Sequence, residues 1–328
     1  MNILVTGAAG YIGSVVTDEL IKEGHRVIAV DNLVKGHLEA VHPEAIFIKT
    51  DIGDTGKMRE VFKRYSPQAV MHLAALSVVS ESMTDPERYF LGNVVSGMNL
   101  LHVMREFGVT DIVFSSSAAV YGNIGTSPVT EEAAAKPVSF YGESKLMFER
   151  LLSWWSYAYG LRYIVLRYFN VAGATDRLGE DHSPETHLIL LLLKVALKQL
   201  PDISIFGTDY RTPDGTCIRD YVHVQDIARG HILALDSLVK GDNQSNTYNM
   251  GSEKGYSVLE VVRTTEAVTG LQVPVRMGER RAGDPPELIA SATRIREELG
   301  WQMEYCHLRD IIATAWQWHK LHPYGYQG

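Results

Sequence analysis

Cysteine is almost missing from this sequence. Two of the 328 residues are cysteines, Cys217 and Cys306, and they do not form a C-x-x-C pair. A disulfide-stabilised secreted scaffold and a paired-cysteine metal site are therefore excluded. Because few cysteines are typical of proteins kept in a reducing environment, we expect a cytoplasmic location.

Long hydrophobic runs are also missing. The longest apolar stretch, "LILLLLKVAL" at 188–197, is interrupted by Lys194. It is much shorter than the roughly 20 residues that cross a bilayer, so it predicts a buried helix and no membrane contact. The N-terminal "MNILVTG" has no basic region before its short apolar run, and we expect no signal peptide.

An excess of positive charge is the third absence. The chain has 31 Lys and Arg against 39 Asp and Glu, a net charge of −8, so we expect no nucleic-acid partner. It contains no G-x-S-x-G or H-E-x-x-H motif, and its 12 histidines are scattered. We therefore expect neither a serine hydrolase nor a metal site.

The first half of the chain alternates strand-like and helical segments. Each strand-like segment is a nearly continuous apolar run, which is typical of strands covered on both faces. This order predicts an α/β fold with a doubly wound parallel (Rossmann) sheet. We expect residues 1–173 to form the dinucleotide-binding domain, with 222–251 packing back on it, and residues 174–328 to form a smaller α/β substrate-binding lobe.

A glycine pattern marks the cofactor site. "TGAAGYIGS" (6–14) places Gly7, Gly10 and Gly13 between the first strand and first helix, where a pyrophosphate can approach the backbone. Asp31 ends the second strand. Its carboxylate would accept hydrogen bonds from the ribose hydroxyls and repel a 2′-phosphate, which favours NAD over NADP. Further expected cofactor contacts are Tyr11, Ile12, Asn32, Asp51, Ile52, Leu73, Ala74, Ala75 and Asn93. Asn93 could instead be a helix N-cap.

Three residues form the predicted catalytic group. Ser117 ends the fifth strand, and Tyr141 and Lys145 share one helical face because they are four residues apart. A lysine ammonium, together with a positive nicotinamide ring, would lower the tyrosine pKa. Tyr141 could then remove a hydroxyl proton while Ser117 orients the hydroxyl. The alternative is an ordinary helix start on a solvated face.

Two helices have apolar residues on more than one face, which indicates burial on two sides. They are the predicted helices 93–107 and 143–159. Either the second lobe or a second subunit must cover the outer side. We favour a symmetric homodimer formed through these helices.

The motifs described above resemble the extended short-chain dehydrogenase/reductase family. The resemblance continues in "LRYFNVAGA" (166–174), "DGTCIRDYVHVQDIA" (214–228) and "RRAGDPP" (280–286), which are similar to members that epimerise UDP-hexoses. It implies tight NAD binding, with Tyr141, Lys145 and Tyr168 beside the cofactor. It also implies oxidation of the hexose at C4, rotation of the sugar, and reduction from the opposite face.

The resemblance also implies a set of substrate contacts. Besides Ser117 and Tyr141, they are Asn170, His187, Leu188, Phe206, Arg219, Tyr221, Arg281, Asp284 and Leu288. Leu288 matches a pocket-wall position whose size decides whether an N-acetyl group fits, and tolerance of N-acetylated UDP-hexoses stays an open alternative. The sequence differs from the usual family pattern at Phe140, Leu190 and Arg211.

Two other functions were weighed. A nucleotide-sugar dehydratase of this family carries Asp-Glu after the catalytic serine position, where this chain has Ala118 and Ala119. A non-catalytic NAD-binding module would not need Ser117, Tyr141 and Lys145 together. Both are therefore disfavoured.

Overall fold

The computed structural model describes residues 1–125, 127–242, 245–280 and 285–327. The strands are β1 (Asn2–Thr6), β2 (Arg26–Asp31), β3 (Ile46–Lys49), β4 (Ala69–His72), β5 (Asp111–Ser117), β6 (Arg162–Tyr168), β7 (Asn170–Ala172), β8 (Ile203–Phe206), β9 (Ile218–His223), β10 (Ser245–Met250), β11 (Gly255–Ser257), β12 (Val275–Gly278) and β13 (Glu287–Leu288). The helices are α1 (Tyr11–Lys22), α2 (Thr55–Tyr65), α3 (Val79–Thr84), α4 (Pro86–Tyr89), α5 (Ser96–Glu106), α6 (Phe140–Tyr159), α7 (Leu188–Ala196), α8 (Val224–Lys240), α9 (Val258–Thr269), α10 (Thr293–Leu299) and α11 (Leu308–Leu321). A π-helical segment, Phe90–Val95, joins α4 to α5, and 3-10 turns lie at Leu38–Ala40, Ala118–Val120 and Gly325–Gln327.

A seven-stranded parallel sheet forms the centre of the described structure. Its strand order is β10-β6-β5-β4-β1-β2-β3, with parallel pairing throughout. The predicted α/β Rossmann fold is therefore confirmed. The edge strand β10 comes from the second half of the chain and pairs with β6.

Both faces of this sheet are covered, which explains the continuous apolar runs. In β1, Ile3 and Val5 join the apolar cluster that includes residues of α1 and α8, whereas Leu4 joins the cluster on the α2, α5 and α6 side. Successive side chains of a strand point to opposite faces, so a strand covered on both sides must be apolar at every position.

A smaller mixed sheet is built around β9. This strand pairs with β7 and β13 in parallel and with β11 in antiparallel orientation, while β8 and β12 form a separate parallel pair. The expected buried helix in "LILLLLKVAL" is α7, which packs with residues of α9 and α11. Leu190, one of the unusual positions, is 2% exposed in its first turn. None of the described helices has the length and apolarity to span a bilayer.

The predicted helix 93–107 differs from the observed one. The helical segment begins at Pro86, where Asp85 caps α4 by accepting a hydrogen bond from the Arg88 backbone N–H. It then passes through the π-helical segment and continues as α5. A π turn contains an extra residue, and such turns occur frequently at functional sites.

A buried ion pair attaches α6 to the large sheet. Glu149 of α6 and Arg167 of β6 are 7% and 8% exposed, and two hydrogen bonds of 2.5 and 3.0 Å join them. Ser116 donates a further hydrogen bond of 2.5 Å to Glu149, and Arg167 donates one of 3.0 Å to the Tyr121 hydroxyl. The pair is thus hydrogen-bonded on both sides, which a buried charge pair requires.

Removing one charge of this pair should destabilise the protein. We expect Glu149→Gln to lower the free energy of unfolding by about 3–5 kcal/mol, because Arg167 stays buried without a counter-charge. The control is Glu60→Gln, which breaks an exposed pair with Lys57 and should change little. Urea unfolding measures both, and equal changes would contradict the assignment.

Candidate active site

The glycine loop between β1 and α1 is closely packed. A Cβ atom on Gly13 would lie 2.0 Å from the Gly7 carbonyl oxygen, so this position requires glycine. Gly10 precedes α1, and none of the described side chains caps this helix N-terminus. Backbone N–H groups at such an end suit a pyrophosphate. The uncapped start of α1 therefore presents backbone N–H groups where the sequence predicts a dinucleotide.

Asp31 lies beside this loop at the end of β2. Its Oδ2 accepts a hydrogen bond of 3.0 Å from the Ala9 backbone N–H, and its Oδ1 accepts one of 2.8 Å from the Leu33 backbone N–H. Burial raises the pKa of this carboxyl, and the backbone hydrogen bonds oppose that shift. Asp31 thus holds the loop in place and keeps further lone pairs for ribose hydroxyls.

Three of the predicted cofactor contacts, Asn32, Asp51 and Ile52, are neighbours. The Asn32 amide donates a hydrogen bond of 2.9 Å to Asp51 Oδ2, and the Gly53 backbone N–H donates one of 2.7 Å to Asp51 Oδ1. Ile52 is 7% exposed and packs into the core. The ends of β2 and β3 therefore present these polar groups next to Asp31.

The loop after β4 lies against the glycine loop. The Leu73 backbone N–H donates to the Thr6 carbonyl at 3.1 Å, and the Ala74 N–H donates to Thr6 Oγ1 at 3.3 Å. Ala75 follows in the same loop. Tyr11, at the start of α1, donates its hydroxyl to the Gly173 carbonyl at 2.6 Å, while Ile12 packs into the core.

Asn93 is not a helix N-cap. It lies within the π-helical segment, and its amide group holds the Leu76 backbone at N–H (2.8 Å) and carbonyl (3.0 Å). The same amide donates a hydrogen bond of 3.0 Å to the Ser144 hydroxyl. Asn93 therefore connects the loop after β4 to α6, the helix that carries Tyr141.

Ser117, Tyr141 and Lys145 come together at the carboxyl end of the sheet. The Ser117 hydroxyl lies close enough to the Tyr141 hydroxyl to oppose the rise of its pKa. Lys145 is 4% exposed; its Nζ donates to the Ser115 carbonyl at 2.7 Å and lies 5.9 Å from the centre of the Tyr141 ring. Helix-start residues on a solvated face would not be buried in this way.

Gly142 explains how Tyr141 reaches this position. A Cβ atom there would lie 2.4 Å from the Ala119 carbonyl oxygen. Only glycine allows the start of α6 to pack this closely on the turn after Ser117. Phe140, the unusual residue before Tyr141, is 38% exposed and packs edge-on against Phe90.

The electrostatics of the pair differ from our expectation. Burial lowers the pKa of Lys145 to about 7, although Glu149 opposes the shift. Burial also raises the pKa of Tyr141, and the Ser117 hydroxyl opposes this. The protein groups alone therefore do not lower the pKa of Tyr141. The expected lowering would require the second charge that we invoked, the positive nicotinamide ring.

Tyr168 ends β6 next to Ser117, with which it is in register. Its hydroxyl hydrogen-bonds Ser115, whose Oγ lies 2.9 Å from His231 Nε2. The sequence analysis did not identify Ser115, Ser144 or His231 as supporting residues. The "SSS" run at 115–117 was the available signal for Ser115, whereas His231 lies on α8, 116 residues away.

Four predicted substrate residues line one cavity: Asn170, His187, Leu188 and Tyr221. Asn170 and Tyr221 are in register across β7 and β9, and the Asn170 amide donates a hydrogen bond of 2.8 Å to the Asp220 carbonyl. His187 and Leu188 lie at the start of α7. The pairing of β7 with β9 thus brings together residues about 50 positions apart in sequence.

The other predicted substrate residues are more spread out. The Arg219 guanidinium donates to the carbonyls of Ile218 (2.8 Å) and Pro285 (2.9 Å). Leu288 is in register with Arg219 and packs near Ala118 and Phe169. Phe206 ends β8, 37% exposed. Arg281 and Asp284 lie outside the described residues, and Arg211 lies in an exposed loop.

Comparison with known proteins gives one consistent result. Residues 3–251 match the model of the NAD dependent epimerase/dehydratase family. The chain is 49% identical to a UDP-glucose 4-epimerase of Streptococcus mutans, with 99% of each chain covered. It is also similar to a crystal structure of UDP-glucose 4-epimerase (TM-score 0.98, 47% identity, 100% of each chain). A second similar structure is that of UDP-glucose 4-epimerase from Bifidobacterium longum in complex with NAD+ and UDP. Its TM-score is 0.94 at 36% identity, and the match covers 99% of this chain and 100% of that one.

The tight loop around Gly13 can be tested by substitution. Gly13→Ala should displace the loop at a cost of about 1–3 kcal/mol, which corresponds to about 5- to 160-fold weaker dinucleotide binding. The control is Gly125→Ala, because a Cβ atom there meets nothing within 4 Å. Dinucleotide content per purified chain is the measurement. Equal content in the two variants would contradict the assignment.

Proposed function

Because the chain belongs to the NAD dependent epimerase/dehydratase family, we propose that it interconverts UDP-galactose and UDP-glucose by inverting C4 of the hexose. The resemblance found in the sequence is confirmed at the level of the family. The observation that carries the proposal is the buried Ser117–Tyr141–Lys145 group, which lies at the same edge of the sheet as the glycine loop. Such a group serves proton transfer at a carbon that is being oxidised.

NAD fits the residues at this edge. Gly13 lets the loop fold tightly on the Gly7 carbonyl, the N-terminus of α1 presents backbone N–H groups, and Asp31 lies where a ribose would be. The carboxylate of Asp31 disfavours an additional phosphate on that ribose. Held by the glycine loop and Asp31, NAD would supply reversible hydride transfer at C4 of the sugar.

The protein groups handle the proton and the orientation of the sugar. Tyr141 takes the proton of the 4-hydroxyl as the carbonyl forms, and gives it back after the sugar has turned. Ser117, whose hydroxyl lies beside that of Tyr141, orients the hydroxyl oxygen. Lys145 is held by the Ser115 carbonyl near the tyrosine ring, where its ammonium form favours the phenolate.

The nucleotide must stay anchored while the hexose turns. The cavity lined by Asn170, His187, Leu188 and Tyr221 supports a binding site for the diphosphate, and Arg219 supplies a nearby guanidinium. Arginine suits phosphate because its donors form a planar fork. Arg281 and Asp284 belong to this proposal through the sequence motif alone.

A dehydratase is disfavoured by the residues after Ser117. Elimination of water from the sugar requires an acid and a base beside it. Ala118 and Ala119 form the 3-10 turn at this point and carry no ionisable group. Epimerisation requires no additional acid or base.

The direct test uses the purified protein and UDP-galactose without added NAD. We expect UDP-glucose to form, without accumulation of NADH, because the hydride returns to the sugar. A parallel reaction with UDP-N-acetylgalactosamine tests whether Leu288 leaves space for the acetyl group. No interconversion of either substrate, even with NAD supplied, would refute the proposal.

Two variants test whether Tyr141 is the catalytic base. Tyr141→Phe removes the hydroxyl and should lower the turnover number at least about 100-fold. This is the lower end of the effect that general acid–base catalysis usually has on rate. It should still bind NAD, because the glycine loop is unchanged. The control is Tyr324→Phe, an exposed tyrosine near the C-terminus. Near-wild-type turnover of Tyr141→Phe would contradict its assignment as the base.

We also propose that the protein is a homodimer formed through α5 and α6. Both helices pack on the sheet with one face and expose large apolar side chains on another. On α6 Trp154 is 66% and Tyr157 87% exposed, and on α5 Met98 is 39% exposed. Leu91 and Val95 extend this surface into the π-helical segment. Exposed large apolar side chains on neighbouring helices are typical of subunit interfaces.

Light scattering tests the dimer. The wild type should have twice the chain mass of 36.5 kDa. Trp154→Glu should shift it toward the monomer, because a charge would be buried in the interface. Leu321→Glu is the control, since Leu321 is 70% exposed on α11 in the other lobe. A monomeric wild type would refute the proposal.

A further inference from the structure

The loop between β7 and α7 contains a cluster of four potential metal ligands. They are Glu180, His182, Glu185 and His187, in the pattern E-x-H-x-x-E-x-H. One ligand atom from each lies within 4.8 Å of every other. The proposed catalytic group uses none of these side chains. Of the four, the sequence analysis singled out His187 alone, for contact with substrate.

Two of the distances within the cluster match those around a small cation. Glu180 Oε1 lies 2.6 Å from His187 Nδ1 and 3.3 Å from His182 Nδ1, and Glu185 Oε1 lies 3.3 Å from His187 Nδ1. In a tetrahedral zinc site with bonds of about 2.0–2.1 Å, ligand atoms are separated by about 3.3 Å. Lengthening of the 2.6 Å contact between Glu180 and His187 would bring this pair to the same separation.

The cluster is not satisfied by its own hydrogen bonds. Glu180 is 5% exposed, and its Oε1 forms no contact with hydrogen-bond geometry among the described residues. The same holds for His182 Nδ1 and Glu185 Oε2, which are also buried. An ion pair between Glu180 and a protonated His187 would explain the shortest contact. It would leave His182 Nδ1 and Glu185 Oε2 buried without hydrogen bonds, which is unfavourable.

We propose that Glu180, His182, Glu185 and His187 bind one divalent metal ion of the zinc class. Two imidazoles and two carboxylates are ligands that Zn²⁺ accepts in tetrahedral sites, whereas Mg²⁺ and Ca²⁺ prefer oxygen ligands alone. The two carboxylate charges balance a dication. The ion also accounts for the three buried atoms that lack hydrogen bonds.

The position of the cluster indicates a structural role. The same loop is attached to the cofactor half by Lys35, which donates to the Ser183 carbonyl at 2.5 Å, and by His37, whose Nε2 lies 3.0 Å from the Asp181 carbonyl. Glu180 and His187 also line the cavity with Asn170. Four protein ligands leave no open position, which is typical of a structural metal. The ion would fix the start of α7 beside the cavity.

Metal content and thermal stability test the proposal. The full-length protein is treated with EDTA, passed over a desalting column and incubated with one equivalent of ZnCl₂. We expect about one zinc per chain by mass spectrometry after gel filtration, together with a higher melting temperature. His182→Gln should weaken zinc binding by more than about 100-fold, beyond the effect typical of second-shell changes. The matched control is His307→Gln, because His307 is exposed and distant in sequence from the cluster.

Cobalt provides a second readout of the ligand geometry. CoCl₂ added to the EDTA-treated protein should give the intense visible absorption of a tetrahedral site, and His182→Gln should lose it. Circular dichroism and bound NAD show that the variants are folded. Substoichiometric zinc in the wild type, or equal zinc in His182→Gln and His307→Gln, would overturn the proposal. Both readouts are independent of epimerase activity, so the proposed function can fail while this site stands.

Discussion

The buried pair of Glu149 and Arg167 determines where the proposed catalytic helix lies. Glu149 is on the same helix as Tyr141 and Lys145, and Arg167 is one residue before the end of β6. Two charges removed from water are stable only when their geometry and remaining hydrogen bonds are satisfied. Ser116 and Tyr121 supply those bonds. Because few positions of α6 satisfy all these partners, the side chains of its first turns are placed accurately against the end of β5.

Sequence reasoning found the residues whose placement follows from local rules. Tyr141 and Lys145 share a face because of helix periodicity, and Ser117 faces the same edge because parallel strands end there. It did not find Glu149 with Arg167, or Ser115 with His231. These pairs depend on tertiary contacts, and the second pair is separated by 116 residues. A buried charge on a helix is not distinguishable from an exposed one by its spacing alone.

Asn93 is another residue whose role depends on tertiary contacts that its local sequence does not reveal. An asparagine near an expected helix start resembles an N-cap, yet the helical segment begins at Pro86 and Asn93 lies inside it. Similarly, E-x-H-x-x-E-x-H is not a regular metal motif, because its ligands converge only through the path of an irregular loop. Local sequence predicts residues on regular elements well. Residues brought together by loops and by π-helical turns require coordinates.

The π-helical segment has a consequence for how this family can vary in length. Phe90–Val95 contains more residues per turn than an α-helix, so Asn93 faces Leu76 and Ser144 only while the extra residue is present. Losing one residue from the segment would restore regular α-helix and rotate the preceding or following part by about 100°. The amide would then leave both partners. The chain length between Pro86 and Glu106 is therefore as constrained as the identity of Asn93, because both place the amide against Leu76 and Ser144.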